Sequence, residues 1–99
     1  MKSSEVYFAV EEQDGVTHVT LCPKSYWDNN KHMNDDSSWL FGDAGTQAAL
    51  RACGVEPEAE VVEGTWEATG SPKDVAVALR AAGFAEDAEF THFISTHPE

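Results

Sequence analysis

The sequence predicts an α+β fold: a four-stranded, mostly antiparallel sheet with two helices packed on one face, in the order β-β-α-β-α-β. Three observations point there. Apolar and polar residues alternate through both arms of a hairpin at residues 4–22. Two helices have ends that can be named residue by residue. A helix–glycine–strand unit occurs twice.

The hairpin comes first. Val6, Phe8 and Val10 alternate with Glu5, Tyr7, Ala9 and Glu11, the pattern of a strand with one buried face. Asp14-Gly15 supplies the positive φ of a tight turn. On the return, Thr17, Val19 and Leu21 face one way and His18, Thr20 and Cys22 the other, until Pro23 removes a ladder donor.

Residues 23–38 read as a long loop. Asn29-Asn30, Asn34, Asp35-Asp36 and Ser37-Ser38 favour turns over regular structure, while Tyr26, Trp27 and Met33 give the segment apolar contacts to offer. Connections of this length are often functional.

Residues 39–99 are expected to run α-β-α-β. Asp43 or Thr46 caps a short helix that ends near Cys53, with Gly54 as its left-handed stop. Glu60 to Thr69 reads as the third strand, with Val62, Trp66 and Ala68 on one face and Glu63, Thr65 and Glu67 on the other. Ser71, Pro72 and Asp74 then form the clearest helix start in the chain. Val75, Ala78, Leu79 and Ala82 follow as one apolar stripe, and Gly83 closes the helix. Glu89 to Ser95 is expected to be the last strand. Residues 49–61 align without gaps on residues 78–90, from Ala49-Leu50-Arg51-Ala52 against Ala78-Leu79-Arg80-Ala81 through Gly54 against Gly83. The whole of residues 1–99 is thereby expected to form one domain.

Charge narrows the function. Six Lys and Arg against eighteen Asp and Glu leave a net charge of −12. The few cations are scattered, which argues against direct nucleic-acid binding and against an anionic membrane surface. No apolar run approaches the roughly 18–20 residues of a spanning helix. Met1-Lys2 precedes no signal-peptide core, and Cys22 and Cys53 lie far apart. Both features point to reduced thiols in the cytoplasm, or in the host cytoplasm for a viral protein.

No catalytic, metal or cofactor signature stands out. His18, Cys22, His92 and His97 lack ligand spacing, because residues four apart on a strand are roughly 13 Å apart. There is no Walker loop or dinucleotide fingerprint, and neither cysteine sits in a strand–turn–helix elbow. The chain therefore reads as non-enzymatic, with no catalytic residues, metal or cofactor assigned.

What remains is a surface. If the apolar strand positions meet the helices, alternation leaves an open sheet face carrying Glu5, Tyr7, Glu11, His18, Thr20, Glu63, Thr65, Glu67, Glu89, Thr91 and Phe93. Acidic and aromatic side chains together suit a basic protein partner, such as a nucleic-acid-binding complex. The expected contact residues are Glu5, Tyr7, Glu11, Tyr26, Trp27, Asp35, Asp36, Glu63, Glu67, Glu89 and Phe93, with Tyr7, Tyr26, Trp27 and Phe93 as anchors. In size and charge the chain resembles small phage proteins of the anti-CRISPR and anti-restriction type, and nuclease immunity proteins. That likeness implies an inhibitor or decoy that occupies a cationic groove. Two alternatives stand beside it. One is an accessory or homodimerising module. The other is a small ligand-binding or enzymatic domain whose Tyr26–Trp39 loop lines a pocket with Trp27, His32 and Trp39.

Overall fold

Alternation in the hairpin becomes two faces of a real sheet. In the computed structural model, which describes residues 2–30 and 38–96, a 3-10 turn at Ser3–Glu5 leads into β1 (Val6–Gln13) and β2 (Val16–Pro23). The strands pair antiparallel from Val6 opposite Pro23 to Gln13 opposite Val16. Asp14 and Gly15 form the turn with φ of 54° and 80°, the doubly left-handed geometry that matches strand twist. The chain continues through α1 (Lys24–Asn30), α2 (Ser38–Phe41), α3 (Ala44–Ala52), β3 (Val55–Val62), β4 (Thr65–Ala68), α4 (Pro72–Ala81) and α5 (Ala88–Thr96). The four strands lie in the order β1-β2-β4-β3, all antiparallel.

The fold is thus α+β, a four-stranded antiparallel sheet with helices packed on it. The second half is arranged differently from the expected α-β-α-β. Glu60 to Thr69 is not one strand: a turn at Glu63-Gly64 divides β3 from β4. Val62 lies on the far side of that turn and is exposed, whereas Trp66 is buried and Ala68 packs on the same core. Glu89 to Ser95 is helix, not strand. The Asp87 carboxylate accepts the Phe90 N–H at 2.9 Å and starts that helix. Phe90, Phe93 and Ile94 then recur at helical spacing against the sheet. Lys24 to Asn30 is likewise a helix rather than loop, because folding it there buries Trp27; residues 31–37 lie outside the described residues.

Helices cover both faces. On the first, Val6, Phe8, Val19, Leu21 and Trp66 meet Leu40 of α2, Leu50 of α3, and Val75 and Leu79 of α4. The two helices expected there are α3 and α4, and their starts are as anticipated. The Asp43 carboxylate accepts the Thr46 N–H at 3.1 Å, and Ser71 Oγ accepts the Asp74 N–H at 3.1 Å. On the second face Tyr7, Ala9 and Cys22 are buried under Trp27 of α1 and Phe90 and Ile94 of α5. The face expected to be open is therefore closed at its β1 end.

The repeated segment explains both edges of the sheet. Leu50 and Leu79 occupy equivalent core positions, and each helix stops at a glycine of positive φ, Gly54 at 87° and Gly83 at 92°. Each arginine that follows the leucine is clasped by an acid just beyond the glycine: Arg51 Nε and Nη2 reach Glu56 at 3.0 and 3.2 Å, and Arg80 grips Glu86 in the same bidentate way. The copies then part. Val55 enters β3 at one edge. Phe84-Ala85 lies beside β1 at the other, where Ala85 accepts the Phe8 N–H and donates its own to Val6, both at 2.9 Å. The β3 edge is irregular: Pro57 interrupts it, the register shifts twice, and the Glu56 carboxylate accepts the Glu58 N–H at 2.9 Å. Arg51 and then the Glu58 amide hold Glu56 below the usual carboxylate range.

The two fully buried tryptophans differ in one atom's fate. Trp66 donates its Nε1–H to the Pro57 carbonyl at 3.0 Å, whereas Trp27 Nε1 has no partner among the described residues. An unmade buried hydrogen bond costs about 1–3 kcal/mol. Trp27→Phe removes that unsatisfied donor; Trp66→Phe instead strands the Pro57 carbonyl. Urea midpoints should place Trp27→Phe above Trp66→Phe by on the order of 1–2 kcal/mol. Equal losses would mean that the Trp27 N–H is satisfied in solution.

Candidate functional site

Strand register brings together two of the expected contact residues. Glu11 lies opposite His18 across β1 and β2, and His18 lies opposite Glu67 across β2 and β4. A Glu–His–Glu row thus crosses three strands on the second face, with Cα atoms of direct neighbours about 4.5–5.5 Å apart. Glu67 is exposed, while Glu11 and His18 are half-buried. The His18 Nδ1 atom is buried and has no hydrogen-bond partner among the described residues.

The adjoining row sets the boundary of this surface. Ala9, Thr20 and Thr65 lie side by side and are all buried, and the two threonine hydroxyls bond each other at 3.1 Å. Pairing the hydroxyls satisfies them without water. Thr20 and Thr65, expected on an open face, therefore belong to the interior. Across β1, β2 and β4 the face turns wet at the Glu11–His18–Glu67 row, near the Asp14-Gly15 end of the hairpin.

The aromatic anchors are mostly elsewhere. Trp27 is 1% exposed and packs edge-on against Phe90, with ring centroids 5.2 Å apart. Phe93 tilts onto Trp27 at 5.4 Å and is half-buried. Tyr7 is 9% exposed, stacks on Phe90 at 6.0 Å and donates its hydroxyl to Asp28 Oδ1 at 3.2 Å, while Lys24 Nζ sits 5.5 Å from its ring centre. Alternation along β1 was correct, but a helix covers the side that was expected to be free. Of the four anchors only Tyr26 is exposed. Burial, and then the Asp28 carboxylate, push the Tyr7 phenol above its ordinary value. Asp28→Asn should bring that value only part of the way back, since burial, the largest single cause, and the Asp87 charge both remain. NMR titration of Tyr7 reads this directly, and a complete return would make Asp28 the dominant influence. The sign follows: a phenol raised in the folded state stabilises the fold below its unfolded value, and this contribution is lost as pH rises through the folded one.

The remaining carboxylates are dispersed. Glu5 is exposed in the first turn and accepts the Lys2 N–H at 2.9 Å. Glu63 is exposed in the β3–β4 turn, and Glu89 is exposed in the first turn of α5. Asp35 and Asp36 lie outside the described residues, as does His32. The pocket expected between Trp27, His32 and Trp39 does not assemble from the two tryptophans: Trp27 joins the second face and Trp39 packs on the first. The expected contact set names Glu11 and Glu67 but not His18, which lies between them. Its position opposite Glu11 was already implied by the Asp14-Gly15 turn.

Chemically, the row offers two carboxylates and an imidazole nitrogen, groups that accept hydrogen bonds from guanidinium or ammonium donors. Its nearest hydroxyls are buried and engaged with each other. Both cysteines are buried and neither is in a disulfide, and burial pushes the Cys53 thiol up. Among the described residues no three His, Cys, Asp or Glu side chains are grouped so that they could hold a metal ion. Among them, too, no helix is long and apolar enough to cross a membrane. Compared with known proteins, the chain matches no family model, no curated protein and no solved structure.

Proposed function

We propose that this chain is a non-enzymatic acidic binding protein, an inhibitor or decoy that occupies a basic, nucleic-acid-binding surface of a larger protein in the cytoplasm. One observation carries it: in a chain of net charge −12, Glu5, Glu63 and Glu67 are exposed, while Arg51 and Arg80 are each engaged by a different glutamate next to them. Carboxylates so presented attract a cationic groove over a distance of roughly 8 Å at physiological salt. Glu11 and Glu67 flanking His18 form the best-placed contact on the wet end of the sheet; the exposed aromatic residue Tyr26 lies beyond the Pro23 end of β2, away from this row.

The test is affinity capture at about 50 mM and about 500 mM salt, with mass spectrometry and a Glu63→Lys/Glu67→Lys bait in parallel. A nucleic-acid-binding protein should be retained at low salt, released at high salt and missed by the charge-reversed bait. The purified chain should then displace nucleic acid from that protein. Capture that survives high salt and charge reversal would overturn the proposal. Recovery of the chain alone would favour a homodimer.

A further inference from the structure

We draw no further inference here: the strongest candidate, the unpartnered Nδ1 of His18 within the Glu11–His18–Glu67 row on the second face of the sheet, belongs to the site already described, and nothing in the structure shows what covers it.

Discussion

Trp66→Ala is expected to cost about 3–5 kcal/mol, the range for truncating a fully buried tryptophan. Three consequences of the fold add up at this position. The ring is wholly enclosed on the first face, where it lies in the same cluster as Val19, Leu50 and Val55. It stands opposite Val19 in the central pairing of β2 with β4. Its N–H also ties down the Pro57 carbonyl at the point where β3 departs from regular pairing. Alanine would leave a cavity between sheet and helices and free the irregular half of β3. For a domain of this size each kcal/mol moves the melting temperature by about 4–8 °C, and total stability is only about 5–15 kcal/mol. The variant should therefore melt far below the parent or fail to fold at ambient temperature. Thermal denaturation followed by circular dichroism decides it. A loss under about 1 kcal/mol would mean that β3 and α3 collapse readily onto the vacated space.

The second large effect should come from a single methyl group. Gly54 ends α3 at φ of +87°, and a Cβ there would stand 2.6 Å from the Thr69 carbonyl oxygen. That oxygen is backbone, and the two residues are already joined by the Thr69 N–H to the Gly54 carbonyl at 2.8 Å. Neither can retreat without opening the junction of β3 and β4. Gly15 is the natural control, since its φ is +80° but nothing lies within 4 Å of the added atom. Gly15→Ala should cost about 1–2 kcal/mol, the penalty of left-handed backbone. Gly54→Ala should lose that amount and more, the surplus reporting the collision. Denaturant midpoints of the two variants measure the difference. Identical values would sink the claim that this close approach is rigid.

The parts of the fold that could be read from sequence are those whose signals are local. Asp14-Gly15 fixes a turn by backbone sterics alone, so β1, β2 and their register follow. Ser71 and Asp43 start α4 and α3 through side-chain oxygens three residues from the amides they cap. The misread elements depend on distant partners or on competing periodicities. In α1 the residues Asp28, Asn29 and Asn30 favour turns, and burial of Trp27 against Phe90 overrides them. Glu89 to Ser95, expected as a strand, lies in α5. Phe90, Phe93 and Ile94 carried the three-and-four spacing of a helix, and Asp87 its cap. Gly64 was the available signal for the β3–β4 turn. The site follows the same division. Alternation assigns Glu11 and Glu67 to one face, but it cannot say what covers that face, and Tyr7 and Trp27 are buried where they are expected to be free.

The two copies of the helix–glycine unit have a consequence for how the molecule behaves in a crowd. A sheet with bare edges is a template onto which other chains can zip, and small open sheets are prone to it. Here one flank is covered at Val6 and Phe8 by the backbone of Phe84-Ala85, and the other is spoiled by Pro57 and by Glu56 capping the Glu58 amide. Neither guard has the same chemistry. The first is covalently continuous with α4 and persists as long as α4 is docked. The second includes a carboxylate held below the usual range, so it survives the first loss of the chain's negative charge and weakens only in stronger acid. Acid thus acts on the guard of only one side of the sheet, the β3 side, and leaves the β1 side to the docking of α4.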